Sequence, residues 1–144
     1  MKDGHILLVD DEQAFLETLT KRLSKRNLDI QIALSGEAAL RLLEDNSQIE
    51  VVILDVKMPG MDGIETLKEI KRHHPLKEVI MLTGHATVES AIEGMKLGAF
   101  DYLMKPCDIE VLMAKVGEAA NKKRAHEAKI REARIKAIAG QANQ

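Results

Sequence analysis

The sequence predicts an α/β fold: a doubly wound parallel sheet of five strands with helices on both faces. Three observations predict it. Five apolar runs of strand length recur along the chain, each is followed by apolar residues at helical spacing, and the links between them are short. Glycine and proline fall at those links, which marks the element boundaries.

The first strand is Ile6-Leu7-Leu8-Val9, followed by Asp10-Asp11-Glu12. Phe15, Leu16, Leu19 and Leu23 then share one face of a first helix. A second strand over 28–33 leads to a helix carrying Ala38, Ala39, Leu42 and Leu43, with Ser35 as its N-cap and Glu37 and Glu44 on an exposed outer face. The third strand, Val51-Val52-Ile53-Leu54, runs directly into Asp55, and Asp62 caps a helix with Ile64, Leu67 and Ile70 that stops before Pro75. A fourth strand over 79–82 ends at Thr83. Thr87 opens the next helix through Val88, Ala91, Ile92 and Met95, with Gly98 beyond its end. The fifth strand, 100–104, meets Lys105-Pro106, and a last helix starts at Asp108 with Ile109, Leu112, Met113 and Val116. Only Gly117 interrupts a run of strong helix formers from 111 to 139, so this helix is expected to extend to about Ile138.

Composition narrows the classes. A chain of 144 residues with 45% hydrophobic content supports one domain with a small remainder. The single cysteine, Cys107, forms no internal disulfide and suits a reducing cytoplasm; it is expected to be a small packing residue. No apolar run approaches the roughly 20 residues that span a bilayer, so no membrane association is expected. The net charge of −2 is uneven: residues 122–136 carry seven Lys or Arg against Glu127 and Glu132, a local +5 that leaves about −7 on the remainder. The boundaries expected are a domain over 1–121 and a basic helical extension or linker stub over 122–144.

The chemistry concentrates at strand ends. In an open parallel sheet, ligands bind at the C-terminal edge of the strands. Parallel packing of the first and third strands brings Asp10, Asp11 and Asp55 into one pocket. Crowded carboxylates repel unless a cation or protons neutralise them. Hard oxygen ligands with room for water suit Mg²⁺, so the pattern suggests a carboxylate that reacts with phosphate beside that ion. In the flavodoxin-like strand order 2-1-3-4-5, Thr83 and Lys105 join the same crevice.

Four segments together resemble the receiver domain of two-component response regulators, over residues 4 to about 120. They are Val9-Asp10-Asp11-Glu12, the stretch from Asp55 through Met58-Pro59-Gly60 to Asp62-Gly63, Thr83-Gly84-His85, and the stretch from Gly98 through Tyr102 to Lys105-Pro106. The phrase from Thr83 to Asp108 looks most like receivers that precede ATPase-type transcription activators. The resemblance implies a cytoplasmic signalling switch. Asp55 would accept a phosphoryl group from a sensor histidine kinase or phosphotransfer protein. Mg²⁺ would be held directly by Asp11, Asp55 and the Lys57 backbone carbonyl, and through water by Asp10. Lys105 would add positive charge, Thr83 a hydroxyl donor, and Pro106 a cis bond that aims Lys105 inward. Thr83 and Tyr102 would form a switch controlling the face of the fourth helix, fifth strand and fifth helix, and through it a downstream effector or a lost output domain. Lys57 and His85 would overhang the path of hydrolytic water and prolong the phosphoryl lifetime.

Plainer alternatives stand beside these. Tyr102 also fits a half-buried strand tyrosine with its hydroxyl in water, and Glu12 suits the acidic start of a helix better than a metal site. His73 and His74 are expected to face solvent, and the seven methionines to fill core space. The rival function is an Mg²⁺-dependent phosphotransferase or phosphatase with a phosphoaspartate intermediate. It is disfavoured because Lys57, not an acid, stands two residues beyond Asp55, and because the short links leave no substrate pocket. The chain is therefore expected not to be an enzyme beyond its own phosphorylation and dephosphorylation. The basic extension fits a solvated stub or a homodimer seam of Ala128, Ile135 and Ile138 interrupted by Arg131; direct nucleic-acid binding is the least favoured use.

Overall fold

The computed structural model describes residues 2–142. Strands β1 (Gly4–Val9), β2 (Leu28–Ala33), β3 (Val51–Leu54), β4 (Glu78–Thr83) and β5 (Asp101–Met104) alternate with helices α1 (Gln13–Leu23), α2 (Gly36–Asp45), α3 (Gly63–His73), α4 (Val88–Lys96) and α5 (Ile109–Ala142). All pairings are parallel, in the order β2-β1-β3-β4-β5. This is the flavodoxin-like arrangement expected.

Side-chain alternation divides the core into two layers. Leu7, Val9, Val52, Leu54, Val79 and Met81 pack with Ala39, Leu43, Leu67 and Ile70 of α2 and α3. The intervening residues Ile6, Leu8, Val51, Ile53, Ile80 and Leu82 pack with Leu16, Leu19 and Leu23 of α1 and Leu112 and Val116 of α5. Continuous apolar strands are thus buried on both faces, as a parallel sheet requires.

The helix starts follow from local chemistry. Ser35 Oγ accepts the Ala38 amide at 3.1 Å, and Asp62 and Glu65 form a reciprocal capping box on α3. Thr87 and Ser90 do the same on α4. Gly98 adopts φ +101° just after α4, a conformation that favours glycine.

β4 starts at Glu78, one residue earlier than the apolar run. Its carboxylate is buried between Lys71 at 3.4 Å and Lys122 at 3.5 Å. β5 starts one residue later than expected, at Asp101.

At this N-terminal edge of the sheet α5 is tied to the body. The Arg124 guanidinium donates to both Glu50 carboxylate oxygens, at 2.7 and 2.8 Å, and to the Asp3 carbonyl at 2.9 Å. Burial pushes the Glu50 carboxyl up, but Arg124 outweighs it and the net shift is downward. Lys77, buried, donates to the carbonyls of Asn46, Ser47 and Ile49; burial and neighbouring Lys123 lower its pKa to about 8. His74 is half-buried 3.5 Å from Glu44, not solvent-facing as expected, while His73 is exposed.

Gly63 is held where α3 begins: a Cβ there would overlap the Asp55 carbonyl oxygen and crowd the Val56 backbone. Gly63→Ala should cost about 1–3 kcal/mol, the usual range for forced overpacking, measured by urea denaturation. An unchanged midpoint would mean that the turn after β3 relaxes freely.

Candidate functional site

Register builds the site. Val9 pairs with Leu54, and the Asp55 amide donates to the Val9 carbonyl at 3.0 Å. Asp10 and Asp55 therefore leave adjacent strands side by side, each 2% exposed. Asp11, one residue on, is exposed. Asp10, Asp11 and Asp55 each offer a carboxylate oxygen within 4.8 Å of the others.

Lys105, at the end of β5, reaches across to these acids. Its Nζ lies 2.6 Å from Asp10, 3.8 Å from Asp55 and 3.9 Å from Glu12. It also sits 3.9 Å from the Phe15 ring centroid, a cation–π contact. Helical spacing places Phe15 on the core stripe of α1; nothing in that spacing reveals a ring that faces a lysine ninety residues on. The Lys105–Pro106 peptide is cis, as expected.

Backbone amides finish the local geometry. Glu12 N donates to Asp10 Oδ1 at 2.9 Å and Val56 N to Asp55 Oδ1 at 2.8 Å. Thr83, fully buried at the end of β4, accepts the His85 amide on its hydroxyl at 3.0 Å. Lys57 and His85 are exposed and line an open cleft with Asp11, Glu12, Met58 and Pro59.

Tyr102 lies apart from this cluster. Its ring packs beside the α2–α3 layer, and its hydroxyl is 2.6 Å from Ser90 Oγ rather than in water. The sequence did not single out Ser90. Its only signal was its place three residues after the Thr87 cap. Cys107 is half-buried, and burial pushes its thiol up, with Asp108 adding to the effect, which suits a packing residue.

Three carboxylates, two of them buried, face one lysine. The donor set is hard oxygen throughout, and its excess negative charge fits a divalent cation of the Mg²⁺ type. Such a site can receive a phosphoryl group: carboxylates and a fixed cation converge where charge on phosphoryl oxygens needs cancelling.

A phosphoryl-accepting switch on a doubly wound sheet is the class these features define. A model of the response regulator receiver domain matches residues 6–117, and the chain belongs to that family, the phosphorylation-activated receivers of two-component regulators. It is 40% identical to the regulatory protein AtoC of Escherichia coli over 109 residues, 76% of this chain and 23% of that protein. It is 37% identical to the DNA-binding transcriptional regulator NtrC of Klebsiella pneumoniae over 119 residues, 83% of this chain and 25% of that protein. The chain thus spans about a quarter of the length of these regulators. A response regulator receiver domain protein from Clostridium thermocellum superposes with TM-score 0.81 at 38% identity, covering 85% of this chain and 98% of that one. Among the described residues no helix is long and apolar enough to cross a membrane.

Asp10 generates a pH prediction. Burial raises its carboxyl pKa, against the opposing pull of Lys105 and the Glu12 amide. A raised acid favours the folded state in its protonated form, so its contribution is complete below 3.8 and is lost as pH rises through the folded value. In metal-free buffer Asp10→Asn should therefore be more stable than the parent at pH 7, with the gap closing toward pH 4. Urea midpoints across that range check it.

Proposed function

We propose that Asp55 is the phosphoacceptor and that this chain relays a signal from a histidine-phosphorylated donor, a sensor kinase or a phosphotransfer protein. The observation that carries the proposal is a buried Asp55 within 3.8 Å of Lys105 and inside a three-carboxylate cluster. An Asp55 carboxylate oxygen attacks phosphorus in line; the new O–P bond forms as the donor's N–P bond breaks, and the departing imidazole nitrogen takes up a proton. Lys105 turns from Asp10 toward the added charge. Thr83, now an acceptor for His85 N–H, supplies its hydroxyl proton to the phosphoryl group. Asp11, Asp55 and the Lys57 carbonyl are assigned to Mg²⁺ directly and Asp10 through water; when bound, the ion supplies positive charge against the phosphoryl oxygens.

Output is assigned to the face of α4, β5 and α5, with Thr83 and Tyr102 as the moving pair. That face exposes Ile92, Met95, Met104 and Val111, apolar surface suited to a partner or output domain. The DNA-binding function named for NtrC suggests a transcriptional output, supplied by segments outside the matched quarter. Residues 122–144 are assigned as a basic extension, and Ala128 with the exposed Ile135 and Ile138 offers a seam to a second copy, interrupted by Arg131.

Acetyl phosphate with Mg²⁺ should add one phosphoryl group by intact mass. Asp55→Asn, Asp11→Ala or EDTA should each reduce labelling at least tenfold. Labelling of Asp55→Asn at the parent level would remove Asp55 from its role. Pairing through the extension predicts a mass near twice 16.0 kDa in light scattering at high concentration, lost on truncation after Glu127, which keeps the Arg124–Glu50 clasp; a monomer at every concentration, with or without beryllofluoride as phosphoryl mimic, excludes that assignment.

A further inference from the structure

Helix α4 is held to the body by little apolar contact. Its single buried residue is Gly94, whereas Val88, Ile92 and Met95 are 72%, 51% and 48% exposed. Small residues face inward: a Cβ placed on Gly94 would meet Ile64, Met81 and Tyr102 Cδ2, each at 3.8 Å. The Tyr102 ring edge therefore lies against Gly94. Ser90, one turn earlier on the same face, takes the hydroxyl of that ring at 2.6 Å.

Ser90 Oγ also has duties at the helix start. It lies 3.2 Å from the Thr87 amide, 3.0 Å from Thr87 Oγ1 and 3.2 Å from the Thr87 carbonyl. A serine hydroxyl has one proton and two lone pairs. The Thr87 N–H fills one lone pair, and the remaining lone pair and the proton are shared between Thr87 and the Tyr102 hydroxyl. One oxygen thus serves both the cap of α4 and the ring on β5. On a helix with so few buried apolar groups, that oxygen is a large part of the attachment.

We propose that Ser90 is a positioning residue that couples α4 to Tyr102, so that the helix start and the tyrosine shift together. Its role as part of a switch rests on the assignment of output to the α4–β5–α5 face. The coupling itself is a property of the unphosphorylated chain. When Tyr102 leaves Ser90, the cap loses a partner, and α4 is freed at its N-terminal end; when α4 moves, the tyrosine loses its hydroxyl anchor.

The test is hydrogen exchange over residues 88–96 of the full unphosphorylated chain, for Ser90→Ala, Ser90→Thr, Tyr102→Phe and the Ala–Phe double variant. Tyr102→Phe should speed exchange about fivefold, the worth of one hydrogen bond, and Ser90→Ala more than that because it also removes a partner of the Thr87 cap. The double variant should be no faster than the faster single, and Ser90→Thr should restore the parent rate. Tyr102 is the sole tyrosine and tryptophan is absent, so intrinsic emission reports on this ring alone. It should change in Ser90→Ala and return in Ser90→Thr. A Tyr102→Phe variant with parental exchange, or a double variant whose effects multiply, would show that Ser90 serves the cap only and would overturn the proposal. Beryllofluoride added to the parent chain addresses the output assignment separately: absence of NMR shifts across residues 84–104 would refute that face while leaving the exchange result readable.

Discussion

Parallel pairing sets Val9 opposite Leu54, and the chain leaves both strands one residue later. Two acids are thereby fixed side by side at the end of a buried sheet, and a slip by one residue would send every apolar side chain of the strand to the wrong layer. The core thus enforces the crowding of Asp10 and Asp55. Repulsion between them is tolerated because Lys105 approaches from β5 and amides from Glu12 and Val56 accompany each carboxylate. Core packing supplies the free energy, and the reactive edge draws on it to hold charges that would separate in a loose chain.

The two ends of the sheet show opposite electrostatics. At the C-terminal edge negative charge exceeds positive, which leaves a demand for cations. At the N-terminal edge each of these charges has a partner: Glu50 takes Arg124, Glu78 lies between Lys71 and Lys122, and Lys77 donates to three carbonyls. The reactive edge can change charge state without breaking these pairs, so α1 and the lower sheet form a fixed frame, with α5 pinned to it at Arg124. The weakly held α4 is the element such a frame leaves able to respond.

Much of this was legible in the residues. Strand ends followed from apolar runs broken by Asp10, Asp55 and Thr83, and caps from Ser35, Asp62 and Thr87, because both signals are local. The Phe15–Lys105, Ser90–Tyr102 and Glu50–Arg124 contacts were not legible, since each joins residues distant in sequence whose types are ordinary on a surface. The burial of Glu78 was hidden for a related reason. An acid ends an apolar run in sequence, yet two lysines from α3 and α5 let the strand carry it inside. His74 is half-buried beside Glu44 of α2, a contact between helices that spacing along one helix does not reveal.

The Arg124–Glu50 clasp makes α5 a lever with a defined fulcrum. Residues 125–140 continue past it as helix, exposed throughout from 129 to 140, a rod of about 24 Å at the usual rise per residue. A tilt of about 5° at the clasp would carry the far end roughly 2 Å, a displacement comparable to the helix shifts that repack subunit interfaces. The arm inside the domain, from Ile109 to Lys123, is about as long and begins close behind Lys105 and Pro106. A small rearrangement at the acidic edge is thus mechanically connected to an excursion of similar size on the opposite side of the molecule, because Arg124 is pinned near the middle of α5.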